Sequence, residues 1–296
     1  MEKILRESEA SVIITPYSFV SGQKFNYLRR EMSKHNGCIF SFDNVPGNVF
    51  NGKKHGIFNS NTSNSVRAAI TVTENIPNLS GYRVSPLIRF KNEERKKLFQ
   101  TDFLNSLLPP VRQCTVVGEP FWKSHKELYE MCQQWTSSNK CLDSILVEKS
   151  DFALCVPNSC RYYTVASKRN LKRTGKYTLY FETERDMLLA YAFLNSSFAY
   201  LWWRMYDGGI TYPKSLLKKI PIFFDALNAR QEERLINLSK EMIACEDNFL
   251  SYKKNAGKMQ ENIKFDSRYL KEINQIWLTA IGFEDSPIEK IHKNSL

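Results

Sequence analysis

The sequence lacks several features that would place it in a common class of protein. No apolar run reaches the about 18 residues that a membrane-spanning helix needs, and the acids in Met1 to Glu7 replace the apolar core of a signal peptide. Seven cysteines, an odd number, occur without a Cys-x-x-Cys pair, and the four histidines form no ligand-spaced set with them. This pattern argues against a disulfide framework or a zinc ribbon. We therefore predict a cytoplasmic protein with reduced cysteines and no metal site.

Motifs for common catalytic chemistry are also missing. The glycines never form a Gly-x-Gly pattern after a predicted strand, and Gly208-Gly209 is a lone pair. There is no Gly-x-x-x-x-Gly-Lys-Ser/Thr loop for a nucleoside triphosphate and no His-Glu-x-x-His sequence. The sequence therefore predicts no catalytic residues in this chain.

The composition is that of a folded, basic protein. Of the 296 residues, 42% are hydrophobic and 13% aromatic, which is typical of a globular chain long enough for two domains. The formal net charge is +11, and this excess favours a polyanionic partner because phosphate contacts release counterions. The alternative is a solvated basic surface.

The first part, residues 1–110, predicts an α/β sheet. We expect strands at Ser11–Ile14, Cys38–Phe42, Val66–Val72 and Val84–Phe90, with helices at Gly22–Lys34 and Lys91–Leu107. Because the first strand lies so near the start of the chain, we expect the sheet to be incomplete on that side. Pro109-Pro110 marks the predicted boundary.

Two further regions follow. Residues 111–226 predict an α+β domain, with strands at Asp151–Val156, Arg161–Val165 and Tyr177–Glu182 and a long apolar helix over Glu184–Arg204. In residues 227–296, apolar residues at helical spacing predict a helical hairpin. Its helices are expected over Ala229–Tyr252 and Tyr269–Ile281, separated by Lys253–Gly257.

A clean basic stretch lies in the second region. No Asp or Glu occurs from Phe152 through Phe181, while residues 161–176 carry six basic side chains. Basic side chains reach phosphates, and arginine also pairs with base edges. The predicted DNA-contacting residues here are Arg161, Tyr162, Tyr163, Lys168, Arg169, Lys172, Arg173 and Lys176. The alternative is a solvated basic face.

Three sets of segments, in this order, resemble the C-terminal half of TaqI-like (gamma-class) adenine-specific DNA methyltransferases of restriction–modification systems. They are Ser11–Phe19 with Ile39–Asp43 and Gly47–Gly52; Phe193–Arg204 with Tyr212–Ile222; and Lys271–Phe283. The resemblance implies that residues 1–110 are the C-terminal part of a class I methyltransferase sheet and that residues 111–226 are the target-recognition domain. In the last segment, Ala280 and Ile281 replace the family's usual aromatic residue.

The front end of that family has no counterpart in this sequence. Thr15-Pro16-Tyr17 echoes the Asn-Pro-Pro-Tyr box but lacks its first proline and the Asn or Asp that accepts the amine hydrogen. The resemblance therefore implies that a partner chain binds S-adenosylmethionine and supplies the catalytic box, and that this chain alone binds no cofactor.

The resemblance also implies roles for individual residues. Phe50, in Gly47-Asn-Val-Phe50, would stack on the adenine flipped out of the duplex, which is worth about 1–3 kcal/mol per base; the alternative is a core phenylalanine. Lys53 and Lys54 would touch phosphate or lie in a solvated loop. The exposed loop after the apolar helix adds Tyr206, Thr211 and Lys214 as DNA-contacting candidates.

The expected function is thus recognition of double-stranded DNA and positioning of the target adenine within a site-specific adenine-N6 methyltransferase, without a membrane. Direct attack of the adenine amine on the sulfonium methyl would use residues of the partner. The alternatives are a non-catalytic DNA-binding specificity subunit, which could also serve a DNA-cleaving restriction complex, an inhibitor, or a decayed remnant.

Overall fold

The computed structural model is a mixed α/β protein with three small sheets, and this class is as predicted. The structure describes residues 1–44, 46–49, 67–100, 102–115, 117–255 and 257–293. These form two compact units: unit 1 contains residues 1–129, 204–208 and Lys293, and unit 2 contains 130–203 and 209–292. The three-part division expected from the sequence stays a prediction. Within the described ranges, no helix combines the length and the apolar character that crossing a bilayer requires.

Unit 1 is built on a four-stranded sheet whose strands all lie close to their predicted positions. Its strands are β1 (Ala10–Pro16), β2 (Asn36–Phe42), β3 (Ala68–Glu74) and β4 (Gly81–Ile88). The spatial order is β1-β3-β2-β4, with β3 antiparallel to both neighbours and β2 parallel to β4. It follows that β1, β2 and β4 run in the same direction and end at the same edge of the sheet.

Apolar cores cover this sheet on two sides. On one, Phe19, Met32 and Ile39 are buried with α1 (Glu2–Glu7) and α2 (Asn26–Met32), which follows a 3₁₀ turn at Gln23–Phe25. On the other, Phe40, Phe42 and Leu98 pack with residues of α3 (Phe103–Ser106).

The continuous helix predicted over Lys91–Leu107 is wrong. The chain forms a 3₁₀ segment at Asn92–Phe99, becomes extended at Gln100 and resumes as α3. Leu98 is the buried residue of the charged 3₁₀ segment, so there is no apolar stripe to stabilise a longer α-helix.

Strand β1 is the open edge of the sheet. It pairs with β3 on one side and with no other described strand. Alternate residues face outward, and Val12 and Ile14 are 69% and 55% exposed. Because Val12 opposes Val72 and Ile14 opposes Ile70, the apolar surface of this face continues from the interior out to the edge strand β1.

Unit 2 contains an antiparallel sheet of spatial order β5-β7-β6 and several helices. The elements are α4 (Tyr129–Thr136), β5 (Leu146–Val147), β6 (Phe152–Pro157), β7 (Lys176–Phe181), α5 (Glu184–Leu194), α6 (Ser197–Tyr206, whose last three residues group with unit 1), α7 (Lys214–Lys218), α8 (Ala229–Ala244), β8 (Leu250–Asn255), β9 (Lys258–Ile263) and α9 (Ser267–Ala280). Short 3₁₀ turns of unit 2 lie at Leu142–Ile145, Phe224–Ala226, Glu246–Phe249 and Ile288–His292, while those at Tyr17–Phe19 and Lys126–Leu128 belong to unit 1. The strand predicted at Arg161–Val165 is wrong, since this segment forms no strand.

The long apolar helix is two helices. Asn195 lies at the break, where its side-chain amide donates to the carbonyls of Ala166 (3.0 Å) and Tyr191 (3.0 Å). Ser196 Oγ donates to the Phe193 carbonyl at 2.6 Å. Short polar side chains that bond the nearby backbone compete with helix propagation, so the break is encoded by Asn195-Ser196.

The tail differs from the predicted helical hairpin in its connection. Helix α8 ends at Ala244, and a β-hairpin of β8 and β9 lies between it and α9. The two helices do contact each other, for example through Arg234 Nε and Glu272 Oε1 at 2.6 Å. A predicted linker at Lys253–Gly257 is therefore mostly strand and turn.

Candidate nucleic-acid interface

The basic segment, residues 161–176, runs over the surface of unit 2 and into β7. The first part of the segment is attached to Asn195, whose Oδ1 accepts a hydrogen bond from the Ala166 amide at 3.1 Å. The Ser167 amide and carbonyl then pair with Cys155 of β6 at 2.9 and 2.8 Å. The backbone of this segment is thus attached to the sheet and to the α5–α6 break.

Glu246 is the second anchor, and it lies 4% exposed beneath the segment. Its carboxylate accepts from Ser167 Oγ at 2.8 Å and from the amides of Lys168 and Arg169 at 2.8 and 3.0 Å. Tyr191 OH donates to the same group at 2.9 Å. Burial raises the pKa of Tyr191, and the neighbouring carboxylate adds to this effect, so the phenol stays a donor.

Glu261 of β9 anchors the middle of the segment. It accepts from the Lys172 amide at 2.7 Å and from Arg169 Nη2 at 3.2 Å. The hydrogen bond from the Lys172 amide, with further help from Arg169, lowers the pKa of Glu261 even though burial opposes this. Both acids therefore point inward, where they fix the backbone of the basic segment.

This arrangement sorts the predicted DNA-contacting residues of the segment. Lys168, Lys172 and Tyr162 are exposed, although Lys168 Nζ also reaches the Asp151 carbonyl at 3.2 Å. Arg161 is half-buried. Among the described residues, Lys168 and Lys172 form no salt bridge, so these two lysines can contact a ligand without breaking one.

The remaining basic side chains of the segment have internal partners. Arg169 pairs with Asp247 and Glu261. Arg173 Nη1 donates to Asn262 Oδ1 at 2.8 Å, and burial lowers its pKa. Lys176 Nζ donates to Asn170 Oδ1 at 2.5 Å and to the Leu171 carbonyl at 2.6 Å.

The predicted tyrosines divide in the same way. Tyr163 OH donates to the Ile263 carbonyl at 3.1 Å, which ties the segment to β9. Tyr177, which follows the segment in β7, similarly donates to the Tyr212 carbonyl at 2.9 Å. Tyr162 is 53% exposed and is the aromatic residue of this segment best placed to meet a base.

The other predicted contacts fall in different places. Thr211 and Lys214 are exposed in unit 2, whereas Tyr206 is half-buried and groups with unit 1. Phe50, Lys53 and Lys54 lie outside the described residues. The predicted contacts of residues 161–176 therefore lie in one described segment, and stacking of Phe50 on a flipped base stays a prediction.

The chain leading to position 50 is described, and it is fixed. The Gly47 amide donates to the Phe90 carbonyl at 2.7 Å, and a Cβ at Gly47 would meet that oxygen at 2.5 Å. Arg95 Nε donates to the Asn48 carbonyl at 2.7 Å, and Val49 is buried. Gly47–Val49 is thus held against residues 90–95.

A buried charge cluster lies in unit 1 at the edge where β2 and β4 end. We call it the Asp43 cluster, and it comprises Asp43, Arg67, Arg89 and Arg204. The carboxylate accepts from Arg67 Nε (3.1 Å), Arg89 Nη2 (3.1 Å) and Arg204 Nη1 (2.8 Å). Burial would raise the pKa of Asp43, but the three guanidinium groups outweigh it and the pKa is lowered. With three cations on one anion, the cluster carries a buried positive excess.

Lys123 adds a further buried cation in unit 1. It is 1% exposed, its Nζ makes no hydrogen bond within the described ranges, and it lies 5.6 Å from the centre of the Tyr17 ring. Burial lowers the pKa of Lys123 to about 7, which Asp207 opposes and Arg204 and Arg29 assist. Tyr17 OH itself donates to the Asp207 carbonyl at 2.5 Å.

In the described part of the chain, no group of three or more His, Cys, Asp or Glu side chains could hold a metal ion. None of the seven cysteines, all of which lie in the described ranges, forms a disulfide. No protein-family model matches this chain, and no curated protein matches its sequence.

Sequence reasoning missed the acids and the amide that build this surface. Glu246 falls inside the region predicted as helix, and Glu261 lies in the hairpin that was not foreseen. Asn195 belongs to the Leu-Asn-Ser-Ser-Phe stretch that carries the resemblance, but its contact with Ala166 joins residues 29 positions apart. No local pattern signals such long-range pairs.

Proposed function

We propose that this chain recognises a DNA sequence and positions a target adenine as part of a site-specific adenine-N6 DNA methyltransferase of a restriction–modification system. It would do so in the cytoplasm together with a partner chain that binds S-adenosylmethionine. The observation that carries the proposal is the basic segment 161–176, which the buried Glu246 and Glu261 anchor from the inside while Lys168, Lys172 and Tyr162 face solvent. A fixed backbone with exposed cations suits contact with a regular array of phosphates.

The open edge of β1 supports the need for a partner. An edge strand that no described strand joins on its outer side, and that exposes Val12 and Ile14, is a site for pairing with another chain, which soluble proteins ordinarily protect. In the proposed complex the catalytic chain would supply strands beside β1 and bring the S-adenosylmethionine site and the Asn-Pro-Pro-Tyr box. Phe50 would then stack on the flipped adenine.

The first test is selection from a random duplex library by the purified chain, alone and with a methyltransferase chain that carries the missing motifs. Enrichment of one short adenine-containing motif is expected. Transfer of a labelled methyl group to that adenine should require both chains. If neither the chain nor the complex enriches a motif, sequence recognition is refuted.

Substitutions on β1 test the partner. Val12→Lys with Ile14→Lys should abolish association with the methyltransferase chain, measured by analytical ultracentrifugation, because two charges would be buried at the new strand pair. Val117→Lys, at another exposed apolar residue (58% exposed), is the control and should leave association intact. Equal association of both variants would remove β1 from the interface.

Phe50 requires a separate measurement. In the complex, Phe50→Ala should lower the fluorescence increase of 2-aminopurine at the target position and slow methylation, while duplex affinity stays within about 2-fold, since stacking contributes about 1–3 kcal/mol only to the flipped state. Phe50→Tyr is the matched control because it keeps the aromatic face. Unchanged methylation in Phe50→Ala would exclude this role.

A further inference from the structure

The hairpin of β8 and β9 has an anchored base. Ile263 is fully buried, the Glu261 amide donates to the Lys172 carbonyl at 3.0 Å, and the Lys264 amide donates to the Phe249 carbonyl at 3.2 Å. The strands form a sheet of two that no other described strand joins. Since an isolated hairpin is only marginally stable, these contacts at the base are what hold it in place.

The distal half of the hairpin is exposed on both faces. Tyr252 and Met259 are each 59% exposed, and Lys253, Lys254 and Lys258 are exposed as well. In the register, Lys254 opposes Met259 on one face, while Lys253 opposes Gln260 on the other. Three lysines and two large side chains therefore lie in solvent at this end of the hairpin.

The charge of this hairpin is of one sign. Residues 250–264 contain four lysines and a single acid, Glu261. That acid is turned inward and is engaged by Arg169 and by the Lys172 amide. The outward surface of the hairpin is therefore positive without a compensating carboxylate of its own.

The hairpin is also structurally continuous with the basic segment 161–176. Arg169 and Arg173 reach Glu261 and Asn262 of β9, and Tyr163 reaches the Ile263 carbonyl. Because these ties join two stretches about 90 residues apart, the exposed Lys172 and the hairpin lysines belong to one connected basic structure.

We infer that the β8–β9 hairpin is a second duplex-DNA contact, which enters a groove while the segment 161–176 follows the backbone. This inference rests on the proposed function. The major groove, about 12 Å wide and 8.5 Å deep, admits a two-stranded β-ribbon, and strands of six residues extend about 20 Å. The lysines would contact phosphates at the groove walls, and Tyr252 would lie against sugars or bases.

The test compares two triple variants that remove the same net charge. One is K253Q/K254Q/K258Q in the hairpin; the other is K97Q/K240Q/K271Q, three exposed lysines elsewhere. Duplex affinity of the full chain is measured by fluorescence anisotropy between 50 and 300 mM salt. The hairpin variant should bind at least about 10-fold more weakly at 100 mM salt, and its salt slope should fall by about 0.9 for each phosphate that the protein no longer neutralises.

The control variant should stay within about 3-fold of the wild type, since charges far from the duplex are screened beyond about 10 Å. If the two variants reduce affinity equally, the hairpin is not a DNA contact, although the proposed function stands. If the wild-type chain shows no salt-dependent duplex binding, the proposed function itself fails and the inference with it.

A photochemical readout separates contact from general electrostatics. A duplex carrying 5-iodouracil should cross-link to Tyr252, identified by mass spectrometry, and Tyr252→Ala should remove that adduct. Cross-links confined to residues 161–176 would overturn the inference. Loss of binding to anionic-lipid vesicles by the hairpin variant, with duplex binding unchanged, would also overturn it and would identify a membrane surface as the ligand.

Discussion

In unit 1, three arginines converge on the single buried aspartate of the Asp43 cluster. In unit 2, two buried glutamates support the basic segment 161–176, which exposes Lys168 and Lys172. Both regions combine acidic and basic side chains. In the Asp43 cluster the arginines are buried with the acid, whereas beneath the basic segment only the acids are buried. Part of the positive charge behind the formal net charge of +11 is therefore buried, so the net charge alone does not show how many cations a polyanion can contact.

The difference has a physical cause. Arginine presents donors in a planar fork that a buried carboxylate and backbone carbonyls can satisfy, as when Arg204 Nη2 donates to the Leu87 carbonyl at 2.6 Å. Lysine is strongly hydrated and is more costly to bury. The arginines are therefore suited to internal ties, while lysines such as Lys168 and Lys172 remain in solvent.

The largest effect should come from removing the anion of unit 1. Asp43→Asn leaves three buried guanidinium groups without their common partner, which should lower the free energy of unfolding by about 3–5 kcal/mol. Urea denaturation measures this decrease, and Asp247→Asn, on an exposed acid that pairs with Arg169, should cost under about 1 kcal/mol. Similar decreases in both variants would contradict the contrast between buried and exposed pairs.

The same carboxylate predicts an acid dependence. Because the pKa of Asp43 is lowered in the folded state, its stabilising contribution is complete above the ordinary aspartate pKa of about 3.9. As the pH falls below about 4, the unfolded chain binds the proton first and that contribution declines. Asp43→Asn should remove this part of the decline.

Next in size is the anion beneath the basic segment. Glu246→Gln keeps the shape but replaces one carboxylate oxygen with an NH2 group. This donor would face either the Lys168 amide or the pair of Ser167 Oγ and the Arg169 amide, where an acceptor is needed. Removing these charge-assisted hydrogen bonds should cost about 1.5–3 kcal/mol. Hydrogen exchange should show faster exchange at the amides of Lys168 and Arg169, whereas Asp43→Asn should affect unit 1. Unchanged protection at those amides would contradict the anchoring role.

The sequence predicted what depends on local pattern. Short β-branched and apolar runs located all four strands of unit 1, and the spacing of apolar residues located α9 within two residues at each end. The basic segment could be predicted because it contains no acidic residue. The strands, α9 and the basic segment are each recognisable from residues that are close together in the sequence.

What depends on distant partners was not predictable. The sequence predicts that Leu250–Ile263 contains the end of one helix and the linker to the next. Its hairpin structure is explained by contacts of β9 with residues 163–173, which are distant in sequence. The Asp43 cluster combines residues from positions 43 to 204. A single sequence does not state which of its arginines will be buried.

Lys123 tests this comparison, because it is a buried lysine in unit 1, the unit in which the Asp43 cluster buries three arginines. Its pKa of about 7 in the folded protein lies below the ordinary value, so between about pH 7 and 10 the unfolded state binds the extra proton. The free energy of unfolding should therefore rise with pH, by up to about 1.4 kcal/mol per pH unit from this group. Lys123→Met should flatten that rise. An equally steep rise in Lys123→Met would show that another group causes it.

The smallest effect on stability should come from the exposed lysines of unit 2. Lys168→Ala with Lys172→Ala should change the free energy of unfolding by less than about 0.5 kcal/mol, yet reduce the salt slope of duplex binding by about 2. Arg169→Ala with Arg173→Ala removes the same charge but also the ties to β9, so it should lower the melting temperature as well. If the lysine pair leaves the salt slope unchanged while the arginine pair reduces it, the half-buried arginines contact DNA, and exposure alone is the wrong guide to this surface.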